Sequence, residues 1–202
     1  YGLFLVVGSL VAWGGVTDLG LAPGLINVVA SAQGRGDREG MRRAISTALA
    51  VYGVLAVLVG MLAFGVSRWE GLPTMLGART PELAESGRLL VLVCGLIFAG
   101  LTVTRVVSST AQALQEGYWG AYVHLVANLT GLALLIGIAQ TGGGLLSYAL
   151  AVSLPLLLAE LGLAGYVFGV RHRGLRPGLA WVDRGSLRAL WGFAGPLMVY
   201  QV

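Results

Sequence analysis

The sequence predicts an all-α, polytopic transmembrane helical bundle, and three observations carry that prediction. Hydrophobic residues make up 56% of the 202 residues and charged residues only 11%. A soluble domain carries about twice that charge, so this chain lacks the polar shell that its apolar content would need in water. The apolar residues also fall into long uninterrupted runs, and runs of roughly 20 or more can cross a bilayer core as helices. Backbone polar groups cannot face lipid unpaired, which makes helix the only economical conformation for them. Alternating strands of about 10 residues, the mark of a membrane barrel, are not seen.

Six runs can be marked, at about 1–31, 43–66, 87–113, 118–139, 145–170 and from 188 onward. The first is too long for one straight crossing, at roughly 46 Å for a continuous helix. Its segment Asp18-Leu19-Gly20-Leu21-Ala22-Pro23-Gly24 holds two glycines and a proline, so a bend or break is expected there. The chain opens and closes inside apolar runs and is read as a fragment. Residues 1–187 form one partial lobe in this reading, and 188–202 begin the next. The segment 171–187 is the candidate linker between them. Gly142-Gly143-Gly144 reads as a tight external turn between the fourth and fifth runs. Ser46, Gly53 and Gly60 recur every seven residues and read as a close helix contact.

Arginine placement gives orientation. The 32–43 connection holds Arg35, Arg38, Arg42 and Arg43, and the 171–188 connection holds Arg171, Arg173, Arg176, Arg184 and Arg188. The opposite connections hold only Arg68, Arg79 and Arg88, so the ratio is nine to three. The positive-inside rule then puts the arginine-rich connections in the cytoplasm and Tyr1 outside. It also puts the 67–86 loop outside, with Trp69 at the interface. Basic residues that cluster between apolar runs read as topology, which argues against a nucleic-acid partner. One cysteine and two histidines build neither a disulfide framework nor a zinc site, and no catalytic motif or cofactor signature occurs.

Ionisable groups inside spans are costly in lipid and are the functional candidates. Asp18, Arg105, His124 and Glu160 fall at a similar depth, in the half nearer the arginine-rich side. Thr102, Arg105, Ser109, Gln112 and Glu116 make one polar stripe at helical spacing. His124 and Asn128 share a face with Gly131 beyond, and Ser153 shares one with Glu160. Two readings fit this pattern: a shared hydrated cavity, or local satisfaction. In the second, Arg105 pairs with Glu160 or reaches the interface, Asp18 caps a helix, and His124 is a packed, hydrogen-bonded residue.

Two stretches carry a family resemblance. Tyr1-Gly2-Leu3-Phe4, Thr17-Asp18-Leu19-Gly20-Leu21 and Gly34-Arg35-Gly36-Asp37-Arg38-Glu39-Gly40 through Arg42-Arg43 form the first. Leu187-Arg188 through Phe193 and Gly195-Pro196-Leu197 form the second. Together they resemble the polysaccharide biosynthesis proteins, lipid-linked oligosaccharide flippases of the MOP exporter superfamily. The resemblance implies the N-terminal lobe of a two-lobed, MATE-like carrier in the bacterial cytoplasmic membrane. It implies transport of an undecaprenyl-diphosphate-linked glycan, with a proton or sodium ion as coupling partner. On that basis Arg105, Asn128 and His124 are the substrate-binding candidates, and Asp18 and Glu160 the ion-coupling ones. The alternatives are a cation-coupled drug antiporter or peptidoglycan-precursor flippase of the same superfamily, and a membrane oligosaccharide polymerase. The 67–86 loop is short and has no histidine, which argues against the polymerase.

Overall fold

The computed structural model describes residues 20–75 and 80–200, with side chains described through Gly192. Six long helices organise these residues: α1 (Leu21–Gly34), α2 (Arg38–Arg68), α3 (Pro81–Ala113), α4 (Tyr118–Thr141), α5 (Leu145–Tyr166) and α6 (Arg184–Tyr200). Among the described residues there is no strand. Helices α2, α3, α4 and α5 with its extension to Arg171 are long and apolar enough to cross a membrane. The chain is thus an all-α polytopic membrane bundle.

Local chemistry sets the helix ends. Gly20 takes a left-handed φ of 68° immediately before α1. Pro23 then falls in the first turn, where its missing N–H costs nothing. A helix thus starts within the segment where a bend or break is expected, while Asp18 lies outside the described residues. Asp37 caps α2, accepting from the Gly40 amide at 2.8 Å. Thr80 caps α3 in the same way, with Pro81 following it. The glycine triplet behaves as expected: α4 ends at Thr141, Gly142 adopts a left-handed φ of 72°, and α5 starts at Leu145.

Several boundaries differ from the sequence reading because caps extend helices beyond the apolar runs. The 32–43 connection is mostly helical, and only 35–37 joins α1 to α2. The 67–86 loop contains a helical turn, Leu72–Met75, and gives way to α3 at Pro81. The last helix starts at Arg184 and not near 188, because the Asp183 carboxylate accepts from the Ser186 amide at 2.9 Å.

Two hairpins, α2–α3 and α4–α5, pack together through α3 and α5, with α1 against α2 and α3, and α6 against α1 and α2. One core, formed by Leu25, Val29, Ile45, Tyr52, Val106 and Leu190, joins α1, α2, α3 and α6. A smaller cluster of Val107, Leu163 and Val167 joins α3 to α5. Glycine admits the closest approaches. The Cβ of Ala63 on α2 fills the space where a side chain at Gly95 on α3 would go. On α4, a Cβ at Gly131 would come 3.0 Å from the Ala151 carbonyl oxygen of α5. Pro155 explains why that carbonyl is open to α4, since a proline nitrogen cannot donate to the carbonyl four residues before it.

The Ser46–Gly53–Gly60 repeat does not make the close helix contact expected of it. Open space surrounds Gly53, and Gly60 meets only a Leu96 methyl, at 3.8 Å. Ser46 is buried but accepts from the Gly178 amide at 3.2 Å. Spacing identifies residues on one face, not what that face meets.

Candidate functional site

Glu160 is a carboxylate buried in the bundle, 4% exposed. Three helices supply its surroundings. Ser108 on α3 donates to it, with the hydroxyl 3.0 Å from both carboxylate oxygens. His124 on α4 places Nε2 at 2.5 Å from Oε1. The imidazole and the carboxylate are thus joined by a short hydrogen bond. The Glu160 side chain is 5% exposed and that of His124 is 50% exposed, so the histidine connects a closed carboxylate to the outside of the bundle. A buried carboxylate is tolerated only with such partners.

Two of the four ionisable candidates, His124 and Glu160, thus meet directly. Arg105 lies half-buried on α3, one turn before Ser108, and is engaged in a contact of its own. Asn128 is exposed on α4, one turn beyond His124. Two other members of the polar stripes are satisfied within their own helices. Thr102 donates to the Phe98 carbonyl at 2.9 Å, and Ser153 donates to the Ala149 carbonyl at 2.8 Å. Ser108 is the residue that spacing reasoning missed. It sits three positions after Arg105 and four before Gln112, so it fits the stripe as well as the adjacent Ser109 does.

Glu116 leaves the stripe altogether. It lies in the turn between α3 and α4 and receives Arg171 Nε at 3.2 Å and His172 Nε2 at 3.2 Å. Those two residues end a π-helical turn, Val167–Arg171, that prolongs α5. Partial burial alone would raise the Glu116 pKa, but the hydrogen bonds and charges of His172 and Arg171 outweigh it and hold the carboxyl below its ordinary range.

The segment read as a linker, 171–187, is strapped onto the start of α2. Arg42 donates to the Arg176 carbonyl at 2.8 Å and stacks over the Trp181 ring at 4.5 Å. Thr47 Oγ1 accepts from the Asp183 amide at 3.1 Å. The two arginine-rich connections therefore lie together at one end of the bundle.

No protein-family model matches the chain, and no curated protein matches it. One solved structure does, that of a MOP superfamily transporter from Pyrococcus furiosus Vc1 (DSM3638), whose description reads reverse polarity of its binding pocket as a sign of different function. The two chains superpose with a TM-score of 0.74 at 18% identity, over 99% of this chain. The matched region spans 44% of that transporter's length. This chain accordingly has the fold of part of a MOP superfamily transporter.

Proposed function

We propose that this chain forms a lobe of a membrane carrier that moves a lipid-linked oligosaccharide across the bacterial cytoplasmic membrane. In this reading the transport cycle is coupled to a proton or cation at Glu160. The observation that carries the coupling is the meeting of Ser108, His124 and Glu160 from three helices around one buried carboxylate. The half-exposed imidazole of His124 gives this closed carboxylate a polar link to the outside of the bundle. Movement of α4 against α5 would separate His124 from Glu160 and open the carboxylate to a coupling ion.

The transporter role draws support from the fold shared with the P. furiosus protein. The choice of substrate rests on the sequence stretches around Thr17–Leu21, Gly34–Arg43 and Leu187–Leu197. In this reading Arg105 would supply the positive charge that an anionic diphosphate needs, and Asn128 and His124 would be further polar contacts for the substrate. Asp18 is the second acidic candidate for the coupling ion.

The test is a complementation assay in cells lacking the gene. Such cells should accumulate a lipid-linked glycan on the inner leaflet, and the wild-type protein should clear it. Glu160→Gln should fail to clear it at wild-type expression. No accumulation in the deletion strain would refute the choice of substrate, and full clearance by Glu160→Gln would refute the coupling role.

A further inference from the structure

Two grooves lie on the outer face of α2 beside the strap. The larger encloses about 700 Å³ and runs along Ser46, Gly53, Val57 and Leu58, with Pro177 and Leu179 of the strap as its other wall. The smaller encloses about 350 Å³ and runs between Thr47, Val51, Val182 and Arg184. Both grooves include Ala50 and Val54, so they lie side by side on the helix surface. We propose that they hold one anionic diacyl phospholipid of the adjoining leaflet, with a chain in each groove and its phosphate against the arginines of the strap.

Three observations select that occupant. The first is length. Twelve residues separate Ser46 from Leu58, which is about 18 Å of helix. Half of a hydrocarbon core is about 15 Å, so the larger groove runs from headgroup level to about the bilayer midplane. The second is chain number. Two adjacent grooves fit a lipid with two tails, whereas a prenyl carrier has one. The third is charge. Arg184 lines the smaller groove, and the two segments around it, 35–43 and 171–188, carry nine arginines against Asp37, Glu39 and Asp183. Basic pockets beside transmembrane helices recruit anionic headgroups. Leu179, 88% exposed at the groove rim, and Trp181 stacked on Arg42 further mark the strap as lying at the membrane interface.

The site differs from the Glu160 cluster in place and chemistry, and its occupancy does not depend on what the carrier transports. Open space around Gly53 makes it a clean probe, because a leucine there blocks the groove without displacing a neighbour. The full-length protein would be placed in nanodiscs of equal phosphatidylglycerol and phosphatidylcholine, extracted, and weighed with its retained lipid by native mass spectrometry. Wild type should retain one phosphatidylglycerol in at least severalfold preference. Gly53→Leu should lose more than half of that retained lipid. Arg184→Gln, which leaves the larger groove open, should reduce the headgroup preference. Equal retention of the two lipids by wild type would overturn the proposal. Unchanged retention by Gly53→Leu would overturn it too, as would capture of a prenyl diphosphate in place of phospholipid.

Discussion

His124 on α4 and Glu160 on α5 face each other across 2.5 Å, and this contact joins two helices at the level of a buried charge. Its loss has two separable effects. His124→Ala removes one partner of the Glu160 carboxylate and leaves the Ser108 hydroxyl in place. Leaving a buried acceptor short of a partner costs about 1–3 kcal/mol, and we expect a loss of that order. Removing both groups should cost less than the sum of the single changes, since the orphaned carboxylate disappears. Thermal unfolding of His124→Ala, Glu160→Gln and the double variant in detergent measures this. Strict additivity would mean that the two groups do not interact.

The Ala63–Gly95 contact between α2 and α3 predicts a compensating pair. Gly95→Ala puts two Cβ atoms in one place, and neither can rotate away. Overpacking of this kind costs about 1–3 kcal/mol. Exchanging the two residues, as Ala63→Gly with Gly95→Ala, should recover most of that stability. Gly53→Ala, which meets open space, should be neutral or slightly stabilising.

Glu116 gives the pH dependence a sign. Its carboxyl is held below the ordinary value of 4.5, so the folded protein binds that proton less readily than the unfolded chain does. The stability it contributes is fully present above 4.5 and is lost as pH falls from there through the lowered pKa. We therefore expect the clasp between the α3–α4 turn and the end of α5 to loosen below about pH 4.5. Hydrogen exchange at residues 167–172 should rise there in the wild type. Glu116→Gln should show faster exchange at neutral pH already, with little further change on acidification.

Thr47 ties the strap to α2 through the Asp183 backbone. Thr47→Val keeps the shape and removes the hydroxyl, for a loss of about 1 kcal/mol. Limited proteolysis should then cut within 176–183 severalfold faster. An unchanged cleavage rate would show that Arg42 and Ser46 hold the strap without it.

Most of the architecture was legible because long apolar runs and the Gly142–Gly144 punctuation act locally. Helix ends were less legible. Arg38, Pro81 and Arg184 belong to helices because caps stabilise polar first turns that hydropathy assigns to loops. The site was half legible. Depth arithmetic brought His124 and Glu160 to one level, but Ser108 and Ser109 are indistinguishable until the orientation of α3 toward α5 is known. The tethering of 171–187 to α2 was not legible, since its partners, Arg42 to Arg176 and Thr47 to Asp183, are separated by more than a hundred residues of sequence.

Pro155 has a mechanical consequence for the charge that follows it. It removes one rung from the hydrogen-bond ladder of α5, five residues before Glu160, and leaves the Ala151 carbonyl turned toward Gly131. A helix missing a rung bends at that point more easily than elsewhere. The segment bearing Glu160 can thus pivot while the part nearer Leu145 stays packed against α4. A hinge at this depth would let the buried carboxylate swing away from His124 without unfolding the hairpin that carries it.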